Sequence, residues 1–203
     1  MWLPRPRPAQ IEDGPSCIPL LVEAGGDLLR WSVGEGGVEL STALLHRCWH
    51  SGGHPLGPKN TRVIEHEGRI VAAITADHTT RWKRAEARVS VPSAGLASPH
   101  ALAAMGARLG LQTKARPPLR DCDWYVSSIG VAPSHRRRGL ARVLLIDATS
   151  TARSLRLDAV MVEVVDSNAG AVCLYRAMGF VEDLHWQPTS GPGVVRLRRP
   201  IGR

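Results

Sequence analysis

Lysine is scarce in this 203-residue chain, which has only Lys59, Lys83 and Lys114. The net charge of +8 and the pI near 10.2 therefore rest on arginine. Such a balance points to an anionic partner, whether nucleic acid, an acidic membrane face or a polyphosphate, without naming it. Aromatics are also few, at 4% of residues. The six tryptophans are scattered and none interleaves with the basic stretches. That pattern offers no stacking platform for nucleic acid. Cysteine is limited to Cys17, Cys48, Cys122 and Cys173, with no C-x-x-C pair. This argues against a zinc site or disulfide scaffold and for a reduced, cytoplasmic compartment. No apolar run approaches the roughly 18 residues of a membrane span. The opening MWLPRPRPAQ has proline where a signal peptide would have its apolar core. A soluble protein without membrane association is expected.

A metal centre is not expected either. His46 and His50 stand one helical turn apart beside Cys48 and His54, but Gly52-Gly53 interrupts the spacing and no partner cluster follows. Ser127-Ser128 is explained by strand pairing and suggests no nucleophile.

What the chain does contain is a 43% hydrophobic composition, enough for a substantial core. The expected organisation is a flexible lead-in over residues 1–6 and a single domain over 7–203, with an insert at about 78–121. Ala9–Glu12 reads as a short first strand. A helix opening near Pro15 or Ser16 is broken by Gly25-Gly26, and a second spans Val38–Cys48. Thr61–His66 and Arg69–Asp77 flank Glu67-Gly68 as a hairpin. Within the insert, His100–Gln112 reads as a helix. Then come a strand Trp124–Val131, a helix Gly139–Leu155 and a strand Ala159–Val165, a β-α-β unit with adjacent parallel strands. A helix Ala169–Met178 and strands Phe180–Trp186 and Gly193–Arg199 complete the order.

The stretch WYVSSIGVAPSHRRRGLARVLL, Trp124 to Leu145, joins a buried strand, a basic glycine-containing loop and a helix start. Backbone N–H groups without intrahelical partners and the helix dipole favour an anion there. Within it, Arg136-Arg137-Arg138-Gly139-Leu140-Ala141 fits Arg/Gln-x-x-Gly-x-Gly/Ala. Some thirty residues on stands N-A-G-A-V-C-L-Y-R-A-M-G-F, from Asn168 to Phe180. Together these resemble the GCN5-related N-acetyltransferase (GNAT) superfamily, closely over about residues 122–182.

The resemblance implies an α/β fold, the acyl-CoA N-acyltransferase fold. Flanking helices cover a mixed central sheet that splays apart, and acetyl-CoA lies in the gap. It places the pyrophosphate on the backbone of Arg137 to Arg142, beside Arg136, with Gly139 and Ala141 keeping the loop slim and Leu140 opening the helix. Ile129, Gly130 and Val131 would hold the thioester and pantetheine arm, Asn168 would border the thiol, and Tyr175 would be the general acid. The acceptor would be a primary amine: a small amine, an amino-acid derivative or a protein N-terminus. The strand before the loop lacks the family's frequent glutamate base. Asp123, Glu163 through a water, a histidine of residues 49–54 and bulk solvent all stay open for that role. The protein would act as a monomer or homodimer. The alternative is a catalytically weak module that binds CoA or a partner for regulation.

Overall fold

The computed structural model describes residues 4–34, 37–86 and 95–202. Among these residues seven strands form one sheet, in the order β1-β2-β3-β4-β5-β7-β6. They are β1 (Arg7–Pro8), β2 (Thr61–His66), β3 (Arg69–His78), β4 (Asp123–Val131), β5 (Ala159–Val165), β6 (Val181–Trp186) and β7 (Val194–Pro200). Only β4 and β5 pair in parallel; the other neighbours are antiparallel. The crossover that parallel pairing requires is α5 (Leu140–Ser154). Its Leu140, Leu144, Leu145, Ala148 and Ala152 recur at helical spacing and are buried against the sheet. With α6 (Ala169–Ala177) this side makes the main core. The opposite face is covered by α1 (Gly14–Val33) and α2 (Gly37–His50), through Cys17, Leu21, Leu45 and Trp49. The mixed, helix-flanked sheet is the expected architecture.

The parallel pair is short. Registered pairing runs from Asp123↔Ala159 to Val126↔Val162 and then stops. Beyond that point β4 stays on β3 through Val131, and β5 stays on β7 through Val165. Ser128 opposes Thr75 while Val126 opposes Ala76, so Ser127 is an extra residue. Such a bulge bends its strand and raises its twist, turning β4 away from β5 where their pairing ends. The splay therefore has a local cause.

One expectation needs correction. The first strand is Arg7–Pro8, and Ile11–Asp13 form a single 3-10 turn instead of continuing Ala9–Glu12 as a strand. Asp13 explains the turn. Its carboxylate holds Arg7 through two bonds of 2.7 and 2.9 Å and accepts the Gln10 N–H at 2.8 Å. The first helix is broken at Gly25-Gly26, as expected. Gly26, at φ 50° and ψ −138°, kinks it, and the helix resumes to Val33.

Part of the 78–121 segment is helical: α3 (Thr79–Glu86) and α4 (Pro99–Ala115), the latter capped by Ser98 Oγ accepting the Ala101 N–H at 3.2 Å. Residues 87–94 of that segment, and 1–3 of the lead-in, lie outside the described residues. Met105 of α4 packs with Val33, Leu40 and Leu44 of the first two helices.

Candidate active site

The gap between β4 and β5 opens into two joined cavities. One, of about 620 Å³, runs along Ile129–Val131, the loop after β4 and the start of α5. The other, of about 530 Å³, lies beyond it against the kinked part of α1, Ser127, Ser128 and Glu163. Glu23, Ala24, Ile129, Asn168, Ala171 and Tyr175 line both. Two chambers with a common wall suit two reactants that meet.

Backbone geometry makes the first chamber polar. The Ala132 N–H bonds Val71 O at 2.9 Å, towards β3. Alternation along the strand then turns the polar groups of Gly130 to β3 and those of Ile129 and Val131 into the gap. The Val131 carbonyl is already used, accepting from Arg136 Nε at 3.1 Å. Gly130 serves packing. A Cβ there would stand 2.4 Å from the Leu20 carbonyl oxygen, so only glycine lets α1 lie this close to β4.

At the loop, Arg137 (φ 62°) and Gly139 (φ 80°) adopt left-handed backbone. Gly139 is the N-cap of α5, and no side chain caps the helix. The Val143 N–H bonds Gly139 O at 3.0 Å. The N–H groups of Leu140, Ala141 and Arg142 precede it and have no partner within the helix. Left-handed turns before an uncapped helix start form an anion-binding concavity. The Leu140 side chain is buried in the core, so only its backbone faces this chamber. Arg137 and Arg138 extend into solvent, whereas Arg136 is held in an ion pair with Glu23. A Cβ at Gly139 would meet nothing within 4 Å. Gly139→Ala should therefore cost only the backbone strain, about 1 kcal/mol. A thermal melt should show Tm lower by roughly 2–4 °C.

Tyr175 sits at the junction, 5% exposed, its ring 5.5 Å from that of Phe180. No hydrogen bond engages its hydroxyl among the described residues. Burial pushes its pKa well above the ordinary tyrosine value. Asn168 is the N-cap of α6, accepting the Ala171 N–H at 3.1 Å, and so stands one position before the helix it shares with Tyr175.

Three groups considered as bases are otherwise employed. Asp123 is 1% exposed and receives two 2.8 Å bonds from Arg198, at the closed end of the gap. His54 Nδ1 accepts the Leu56 N–H at 3.1 Å, burial lowers its pKa, and it lines neither chamber. Glu163 does line the second chamber, but Arg196 Nη2 at 2.7 Å, Arg116 Nε at 2.9 Å and the Tyr125 hydroxyl at 3.3 Å occupy its oxygens.

Sequence reasoning missed Glu23, Asp27 and Arg30, the polar residues of α1 that line the second chamber. The only signal was Gly25-Gly26, a glycine pair interrupting a helix. Of the segments outside the sheet's β-α-β unit, α1 lines this chamber; α2, residues 49–59 and the described part of 78–121 do not. No group of three or more His, Cys, Asp or Glu side chains among the described residues is arranged to hold a metal. Among them, too, no helix is long and apolar enough to cross a membrane.

Residues 37–180 match the acetyltransferase (GNAT) family. The chain belongs to that family. GNAT acetyltransferases use acetyl-CoA as acyl donor. Among solved structures, an N-acetyltransferase from Staphylococcus aureus Mu50 superposes with TM-score 0.72 at 18% identity, over 96% of this chain and 99% of that one. The ribosomal-protein-S18-alanine N-acetyltransferase from Escherichia coli gives 0.56 at 14% identity, over 99% and 96%. The NatC complex bound to Gag peptide and CoA gives 0.57 at 14% identity, over 99% and 100%. At these identities the likeness is one of fold. A streptothricin acetyltransferase from Streptomyces lavendulae is 42% identical over 55 residues, 27% of this chain and 29% of that protein's length.

Proposed function

We propose that this GNAT-family protein moves an acetyl group from acetyl-CoA to a primary amine by direct attack in a ternary complex, within a single domain over residues 7–203. The observation that carries the reading is the meeting of two chambers at Tyr175. The first fits the donor. Its gap-facing strand edge suits an extended amide-bearing arm, and its uncapped helix start suits a pyrophosphate.

In this reading the N–H groups from Arg137 to Arg142 hold the phosphates, and Gly139 and Ala141 let them approach. Ile129 and Val131 align the pantetheine arm beside Gly130. The Ile129 N–H is aimed at the thioester oxygen, where it stabilises the charge that develops during attack. The amine in the second chamber forms the new C–N bond as the C–S bond breaks. Tyr175 donates a hydrogen bond to the departing sulfur, and Asn168 borders it.

Magnitudes limit Tyr175 to that role. With a tyrosine pKa of about 10 against about 8.5 for a thiol, full proton transfer is uphill by roughly 2 kcal/mol. Burial moves the phenol further in the same direction. The acceptor ammonium gives up one proton to solvent and attacks as the neutral amine; the cationic nitrogen so formed loses a second proton to solvent as the C–S bond breaks, and the thiolate takes its proton on release.

The raised pKa has a pH consequence. Tyr175 stays protonated as pH passes through about 10, so kcat should show no alkaline loss there from its ionisation. A stopped-assay pH profile checks this; a fall centred near 10 would contradict it.

The stretch shared with a streptothricin acetyltransferase supports including streptothricin in the acceptor panel. The panel should also hold L-lysine amide, spermidine and a short peptide with a free N-terminus. Thiol release from acetyl-CoA, with the acetylated product seen by mass spectrometry, is expected with at least one of them. Tight CoA binding without any amine-dependent thiol release would instead favour a non-catalytic binding module.

A further inference from the structure

Three carboxylates line the second chamber. Asp27, in an exposed pair with Arg30 at 2.6 Å, lines that chamber alone, and Glu163 is filled by Arg116, Arg196 and Tyr125. Glu23 differs. It lies three residues before the Gly26 kink, lines both chambers and faces the wall that carries Asn168 and Tyr175. Among the described residues its partner is Arg136, which bonds Oε1 and leaves Oε2 without one. Both side chains are about half exposed, at 49% and 48%. The pair is therefore exchangeable, unlike the buried Glu163 cluster.

Arg136 belongs to the loop of the first chamber and anchors itself through Nε to the Val131 carbonyl. Its Nη2, however, is turned to Glu23. A doubly charged phosphate group at the helix start competes for a guanidinium better than a solvated carboxylate does. Glu23 would then have its whole carboxylate for a cation at the chamber junction, where an acceptor ammonium must arrive.

On the reading of the two chambers given above, we infer that Glu23 binds the ammonium of the acceptor, and that Arg136 withholds Glu23 until the donor's phosphates take the arginine. The two half-sites are thereby coupled: the donor prepares the acceptor's anchor. Glu23 acts in binding, and Arg136 acts on the acceptor only through it.

Titration with CoA needs no acceptor and reads the coupling directly. Glu23→Gln frees Arg136, so CoA should bind several-fold more tightly than to wild type, while Arg136→Gln should bind it several-fold more weakly. If the pair were only a strut between α1 and the loop, Glu23→Gln would loosen the loop and leave CoA binding weaker or unchanged. That result overturns the coupling.

The acceptor arm uses L-lysine amide at saturating acetyl-CoA. Glu23→Gln should raise its KM at least tenfold, with the loss falling on KM instead of kcat, and Glu23→Asp should recover much of it. Equal KM values for wild type and Glu23→Gln would remove Glu23 from acceptor binding. Wild type failing with every amine in the panel would instead overturn the transferase reading. The CoA titration would still decide the coupling.

Discussion

Tyr175→Phe should lower kcat about 100-fold, the scale of losing one positioned hydrogen-bond donor to developing charge. KM for acetyl-CoA should move little, because the proposed contacts to the phosphates and the pantetheine arm lie elsewhere. The ring is buried against Phe180 and its hydroxyl has no hydrogen bond among the described residues. Phenylalanine keeps that packing, so Tm should shift by less than about 2 °C. Thiol release measured by a chromogenic disulfide, beside a thermal melt, separates chemistry from folding. Unchanged turnover would take Tyr175 out of the reaction.

The largest loss of stability is expected at Arg196. This arginine of β7 is 1% exposed. It bonds Glu163 through Nε at 3.0 Å and Nη2 at 2.7 Å, Pro118 O through Nη1 at 2.8 Å, and Pro117 O through Nη2 at 2.6 Å. It thus ties the end of the 78–121 segment to β5, behind the wall of the second chamber. Arg196→Ala strands a buried carboxylate face and two carbonyls. Breaking such a pair costs about 3–5 kcal/mol. Tm should fall on the order of 10 °C. Lysine should not rescue it, since a single ammonium cannot reproduce the forked donor set. A melt of Arg196→Lys near wild type would show that charge alone suffices.

The lining of the first chamber was legible because it is local. Strand, loop and helix start lie within Trp124–Leu145, and Asn168 and Tyr175 fall within one short run. Physics of helix ends marks the loop, and the family resemblance carried by the two motifs brings Asn168 and Tyr175 to it. The second chamber is not local. Its wall joins Glu23 to Arg30 of α1 with Ser127 of β4 and Glu163 of β5, which only the folded sheet brings together. Even the carboxylates visible in the sequence could not be sorted there. Asp123 and Glu163 differ from Glu23 through arginines on β7, Arg198 and Arg196, whose register across the sheet no short-range pattern encodes.

The first strand failed for a related reason. Ala9–Glu12 has no competing local signal, but Arg7, Asp13 and Glu65 form an ion-paired knot that bends the chain after Pro8. The kink at Gly26 was legible. Glycine signalled the break, and packing of Leu29 and Val33 beyond it, with Val33 set among Leu40, Leu44 and Met105, carries the helix onward.

A crystal structure of the protein with CoA tests the donor and junction assignments most directly. The pyrophosphate should rest on the N–H groups of Arg137 to Arg142, with the thiol beside Tyr175 and the arm along Ile129–Val131. Phosphates bound elsewhere, or a thiol remote from Tyr175, would contradict the two-chamber reading.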